Sequence, residues 1–144
     1  LLAEHGASVL GLDIAPLALE KARSAPTVGN EKYALVDFLN LPANYNRQFD
    51  AVVEHTCLCA IDPFNREAYA TSVRQALKTD GKYLAVFFRE VPDYNGKDPP
   101  HPISSDQIDA LFVEGFEIID RIIPRETYPS RPVGSEEVCL MRKR

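Results

Sequence analysis

The sequence predicts an α/β fold on a mostly parallel sheet with an antiparallel C-terminal strand, and three observations carry that prediction. Apolar runs of four to six residues recur along the chain, continuous rather than alternating, which is the pattern of parallel strands covered on both faces. Segments of helical spacing lie between them, so strand, helix and strand alternate. The last two runs are joined by residues 124–136, which show no helical pattern, so they are expected to pair antiparallel.

Taken in order, Leu1-Leu2-Ala3-Glu4-His5-Gly6 reads as the end of a helix stopped by Gly6. No Met opens the chain, and an upstream segment is expected. Residues 7–12 (ASVLGL) form the first strand, which ends in Asp13. Pro16 then opens a helix through Arg23, at a first-turn position where its missing N–H costs nothing. Runs at residues 33–36 and 49–53 end in Asp37-Phe38 and Glu54-His55-Thr56. Between Asn65 and Lys78, Ala68, Tyr69, Val73, Ala76 and Leu77 repeat with helical spacing, and Asp80-Gly81 is read as the stop before the run at 83–88. Four prolines in residues 89–103 exclude helix and central strand, leaving a long ordered loop of the kind that carries function. Ser104 and Gln107 make a capping box for a helix through Phe112, Gly115 punctuates, and residues 116–123 and 137–141 are the closing strands.

Composition bounds the function. The 144 residues are 45% hydrophobic and 26% charged, which suits one globular domain spanning 1–144. A chain of this size buries roughly 70% of its unfolded surface, enough for a core without staples. The net charge is −5 with basic residues scattered, which disfavours a nucleic-acid partner. No apolar run reaches the roughly 18 to 20 residues needed to span a bilayer, so no membrane partner is expected. Three cysteines, an odd number, suit reduced thiols and a cytoplasmic location.

The strand ends hold the candidate chemistry, because ligands of parallel α/β sheets bind beyond the C-terminal ends of the strands. Asp13 either accepts from ribose hydroxyls or caps the helix that follows. Asp37 can accept from an exocyclic amine while Phe38 packs on a purine, or the pair can be a turn and a core residue. His55 and His101 are candidates for proton handling, with strand-end contact and loop packing as their structural alternatives. Cys57-x-Cys59 with Cys139 supplies no zinc-ligand spacing, so no metal is expected. Phe87, Phe88 and Tyr94 are candidate lining for an apolar pocket.

The segment Phe49-Asp50-Ala51-Val52-Val53-Glu54-His55-Thr56-Cys57-Leu58-Cys59-Ala60-Ile61 resembles the S-adenosylmethionine-dependent methyltransferases, within them the thiopurine, thiol and halide methyltransferase family. Residues 9–18, the Asp37-Phe38 pair, residues 77–82 and the segment Asp98-Pro99-Pro100-His101-Pro102-Ile103-Ser104 extend the resemblance over almost the whole chain. Two departures stand out. The family's first strand and glycine-rich turn have no counterpart; and His101 stands where the family more often has an aromatic residue, while Arg131-Pro132-Val133-Gly134-Ser135-Glu136 only loosely matches the expected Arg, Gly and Glu spacing.

The resemblance implies a Rossmann-like class I methyltransferase sheet lacking its first strand, a partial form of a single domain. It implies S-adenosylmethionine as cofactor, held by Asp13, Ile14, Asp37, Phe38, Glu54, His55 and Thr56, with His55 and His101 as catalytic residues. The implied reaction is methyl transfer to a small thiol, thiocyanate, halide or metalloid by in-line displacement. A monomer is expected of the full-length form, and self-association of a form lacking the central strand, whose open edges expose unpaired backbone. Two other classes stay open at this point: an inactive fragment or interaction domain, and a nicotinamide-dependent dehydrogenase fragment. The closing antiparallel pair and Asp37-Phe38 count against the dehydrogenase.

Overall fold

The computed structural model describes residues 2–127 and 129–144; Leu1, with which the reading of the opening segment begins, lies outside them. The chain forms two compact units, Leu1–Pro42 and Ala43–Arg144.

In the first unit a single 3-10 turn, Ala3–His5, ends at Gly6. Strands β1 (Ser8–Asp13) and β2 (Asn30–Leu35) pair in parallel with Asp13 opposite Leu35, and α1 (Pro16–Ser24) connects them. Pro16 sits in the first turn of α1, as its missing donor allows. β2 starts three residues ahead of its apolar run, because the ladder pairs backbone whatever the side chain: polar Asn30, Glu31 and Lys32 stand opposite Ser8, Val9 and Leu10.

The second unit holds β3 (Phe49–His55), α2 (Arg66–Ala76), β4 (Leu77–Phe88), α3 (Ser105–Phe112), β5 (Phe116–Ile122) and β6 (Glu136–Lys143). Its sheet has the order β3-β4-β6-β5. β3 runs parallel to β4, while β6 is antiparallel to both β4 and β5. Three strands therefore share one direction and the C-terminal strand opposes them, as the sequence predicts.

The core of this unit lies between the sheet and its two helices. Tyr83 on β4 packs against Phe112 of α3 at 5.3 Å between ring centroids and against Phe116 of β5 at 6.1 Å. Phe87 meets Phe112 at 6.0 Å, and Val73, Ile108 and Met141 are fully buried. Each such side chain contributes about 1.5–3 kcal/mol of apolar burial. Coverage of both faces, expected from the continuous apolar runs, is only partial among the described residues. The core from α2 and α3 gathers on the face of Tyr83 and Phe87, whereas Val53 and Leu84 on the other face keep 52% and 38% of their surface exposed. In the first unit β1 contains no buried residue, and Leu35 is 57% exposed.

A second correction concerns the end of α2. The helix stops at Ala76, the fully buried Leu77 turns extended, and β4 begins there rather than after Asp80-Gly81. No glycine is needed as a stop, because Lys143 Nζ donates to the terminal carbonyls of Arg74 and Leu77 at 2.6 and 2.7 Å. Asp80-Gly81 instead lies in an irregularity of the β3–β4 ladder, where the partner of Phe49 is Leu77 and that of Ala51 is Lys82. A Cβ on Gly81 would come within 2.9 Å of the Lys78 carbonyl oxygen, so only glycine fits. The capping box of α3 forms as expected, Gln107 N donating to Ser104 Oγ and Ser104 N to Gln107 Oε1. Among the described residues no helix is long and apolar enough to cross a membrane.

Candidate functional site

In the first unit the parallel pairing of β1 and β2 brings two of the predicted acids to neighbouring strand ends. Val36 N donates to the Asp13 carbonyl at 3.0 Å, which sets Asp37 and Phe38 just past the end of β2. Asp13 is exposed and its Oδ1 accepts from Ala15 N at 2.8 Å, so it does shape the entry to α1; Oδ2 hydrogen-bonds to none of the described residues. Asp37 Oδ1 accepts from Leu39 N at 3.0 Å and Oδ2 from Asn40 Nδ2 at 2.6 Å, fixing the carboxylate over its own turn. A carboxylate has roughly four lone-pair sites, so each acid retains acceptor capacity for a further donor. Phe38 is half-buried, and Ile14 is 67% exposed.

In the second unit β3 ends in a sharp turn. Thr56 adopts φ +70°, an unusual conformation for a β-branched residue and one that marks strain. The turn folds back so that Cys57 N and Leu58 N donate to Glu54 Oε2 at 2.9 and 3.1 Å. Glu54 is 5% exposed, and its Oε1 is buried without a hydrogen-bond partner. Burial pushes its carboxyl up to about 7, outweighing the opposing pull of the two amides and of Arg131.

Successive strand residues point to opposite faces, so Glu54 and His55 part company: Glu54 pairs across the ladder with Ala85 and His55 with Val86. The half-exposed His55 has its Nε2 3.9 Å from Glu136 Oε1. Glu136 is buried and accepts from Arg131 Nη1 at 2.5 Å, while the Arg131 guanidinium lies 4.1 Å from the Phe88 ring centre.

The proline-rich loop is tied down beside the same turn. His101 is buried, its N donates to the Cys59 carbonyl at 2.7 Å, and its Nδ1 is 2.6 Å from Tyr94 Oη. Arg66, at the start of α2, donates through Nη2 to the carbonyls of His101 and Pro102 at 3.2 and 3.0 Å. Ile103 N donates to Phe88 O at 3.1 Å and closes the loop onto β4.

The predicted residues thus fall into two groups, Asp13, Ile14, Asp37 and Phe38 in one unit and Glu54, His55, Thr56 and His101 in the other. Sequence reasoning did not single out Glu54's buried state, Arg66, or Glu137. Glu137 is fully buried, accepts from Ser105 Oγ at 2.5 Å, and ion-pairs with Arg89 and Arg121 at 3.2 and 2.9 Å. The available signal was the tandem acid Glu136-Glu137 at the head of an apolar strand, where a charge must find partners. The three cysteines are reduced, Cys57 exposed and Cys59 and Cys139 buried; burial beside Glu137 pushes Cys139 up to about 12, which makes it a poor nucleophile. Among the described residues no three His, Cys, Asp or Glu side chains form a metal-binding group.

Comparison with known proteins places this geometry in a family. The family model for thiopurine S-methyltransferase matches residues 1–122. The chain is 32% identical over 115 residues to thiocyanate methyltransferase 1 of Brassica oleracea, covering 77% of this chain and 50% of that protein. It is 27% identical over 133 residues to the 2-heptyl-1-hydroxyquinolin-4(1H)-one methyltransferase of Mycobacteroides abscessus, covering 88% and 56%. Among solved structures, a SAM-dependent methyltransferase from Methanosarcina mazei superposes with a TM-score of 0.82 at 19% identity, over 99% of this chain and 84% of that one. That likeness shows a Rossmann-like methyltransferase fold. The chain spans between a half and three-fifths of the length of the curated relatives it matches. By the match of its first 122 residues and its identity to the Brassica enzyme, the chain belongs to the thiopurine S-methyltransferase family.

Proposed function

We propose that the protein binds S-adenosylmethionine and catalyses methyl transfer to a small soft nucleophile: a thiol, thiocyanate, a halide or a metalloid anion. The observation that carries this reading is the pair of acids at adjacent strand ends, Asp13 with a spare carboxylate oxygen and Asp37 with Phe38 beside it, in a chain of this family. Asp13 accepts from the ribose hydroxyls, Asp37 accepts from the adenine amine, and Ile14 and Phe38 supply apolar contact to the purine. The residues present fit such a group, since the exposed Asp13 Oδ2 lacks a donor among the described residues and Glu54 Oε1 is an orphaned buried acceptor. Glu54, His55 and Thr56 are proposed to contact the cofactor at the end of β3.

When bound, S-adenosylmethionine supplies a methyl group on a sulfonium, already activated, so the protein's task is placement and exclusion of water rather than acid catalysis. His55 and His101 are assigned to the acceptor's side of the site. The relatives' names support a soft nucleophile, thiocyanate for the Brassica protein and thiol for one from Arabidopsis thaliana. The reduced cysteines fit a cytoplasmic setting.

Calorimetric titration of the whole protein tests the reading. S-adenosylmethionine and its demethylated product are expected to bind in preference to NAD. A preference for NAD, or identical affinity in the Asp13→Ala variant, would overturn it.

A further inference from the structure

We propose that Tyr94 is a positioning residue that fixes the tautomer of His101, so that His101 presents a ring N–H to a methyl acceptor that arrives as an anion. The inference rests on the methyltransferase reading and names the charge state of its substrate. It starts from the contact of 2.6 Å between Tyr94 Oη and His101 Nδ1, with the two rings edge to face at 5.8 Å.

For a neutral imidazole, two arrangements of hydrogen satisfy that contact. Either the phenol donates to Nδ1, and the ring proton sits on Nε2, or Nδ1–H donates to the phenol oxygen, and Nε2 is a bare lone pair. A phenol, which titrates near 10, is a far better donor than a neutral imidazole N–H, and an unprotonated ring nitrogen is a far better acceptor than a phenol oxygen. The phenol therefore donates, and Nε2 carries the hydrogen. In a residue only 7% exposed, Nε2 hydrogen-bonds to none of the described residues. The ring is held by the Tyr94 contact and by its own burial, while hydrogen bonds at N to Cys59 and at O to Arg66 fix the main chain that carries it.

A second observation points to the same ligand charge. Arg66 is 8% exposed, spends Nη2 on the loop carbonyls, forms no ion pair among the described residues, and leaves Nε buried without a partner. A buried guanidinium without a carboxylate gives the loop a positive potential, which favours an anion. His101 Nε2 is thus a donor with no acceptor among the described residues, and Arg66 a charge with no carboxylate beside it. An acceptor such as thiocyanate, iodide or a preformed thiolate accepts from Nε2, is favoured by the Arg66 charge and brings its own lone pair, so no proton is transferred to the protein. A protonated thiol supplies neither the charge nor a strong acceptor.

Nitrogen NMR of the whole protein labelled at histidine tests this without relying on turnover, and with three histidines the spectrum is assignable. In the wild type the His101 signals should show Nδ1 unprotonated and Nε2 protonated, and thiocyanate should shift the Nε2 signal. In Tyr94→Phe the tautomer preference should relax, with the His5 and His55 signals unmoved. Thiocyanate affinity should fall about tenfold in Tyr94→Phe and in His101→Gln, the scale of one hydrogen bond to a charged group. A wild-type spectrum with Nδ1 protonated, or thiocyanate affinity unchanged in both variants, would overturn the proposal. If the tautomer is as stated but labelled S-adenosylmethionine gives methyl to no acceptor, the functional reading fails and the acceptor role falls with it, whereas turnover with the opposite tautomer overturns only the role of Tyr94.

Discussion

Replacing Glu54 with glutamine should make the protein more stable relative to wild type as pH rises, in contrast to the usual effect of losing a carboxylate. The carboxyl is buried, one oxygen has two amide donors and the other has none, and burial pushes its titration from 4.5 up to about 7. A raised carboxylate pKa means that the folded state binds the proton more tightly than the unfolded state does. The contribution of Glu54 to stability is therefore most favourable below about pH 4.5 and is lost as pH rises through about 7, above which the full cost of burying the charge is present. The gap of about 2.5 pH units, at about 1.4 kcal/mol each, amounts to roughly 3 kcal/mol. The glutamine side chain in Glu54→Gln keeps an amide oxygen for Cys57 N and Leu58 N and has no charge to bury. Urea unfolding of both proteins between pH 4.5 and 8 measures the effect, with the titration of every other group common to the two. The difference between variant and wild type should move in the variant's favour by up to about 3 kcal/mol across that interval. Parallel stability profiles would show that Glu54 ionises freely in the fold and that its burial costs nothing.

Asp13→Ala should weaken S-adenosylmethionine binding roughly ten- to hundredfold by calorimetry, since a hydrogen bond to a charged acceptor is worth about 1.5–3 kcal/mol. Glu137→Ala leaves Arg89 and Arg121 without their shared buried carboxylate and should cost about 3–5 kcal/mol in denaturant unfolding, with Glu137→Gln losing less. Arg66→Met removes both hydrogen bonds from Nη2 to the His101 and Pro102 carbonyls and should speed amide hydrogen exchange at His101 and Ile103, while the strand amides of β4 keep their protection.

Local signals were legible in the sequence where one residue type answers one backbone need. Pro16 at the head of α1, Ser104 with Gln107 at the head of α3, and the antiparallel pairing of the two closing strands all appear where the pattern put them. The end of α2 was misread because its cap is Lys143, 66 residues beyond Leu77, and no local pattern records a cap supplied from another strand. Coverage of the strands was misread for a related reason. A continuous apolar run says that both faces of a strand avoid water, but not which partner shields them. The strand-end acids were visible by position, and Asp13 shapes the turn with one oxygen while the other stays open to a further donor. Arg66 was invisible because its function is to hold two main-chain carbonyls of a loop 35 and 36 residues away, a contact that leaves no mark in spacing.

Methyl transfer itself is the most direct test of the account. The whole protein, supplied with S-adenosylmethionine carrying a labelled methyl group and with thiocyanate, iodide or a thiol, should release the labelled methyl product together with one equivalent of S-adenosylhomocysteine. Thiocyanate and iodide should react across neutral pH, and the thiol only as its ionised fraction grows. Bound S-adenosylmethionine that yields no methylated product from any of the three would contradict the assignment of this site to soft nucleophiles.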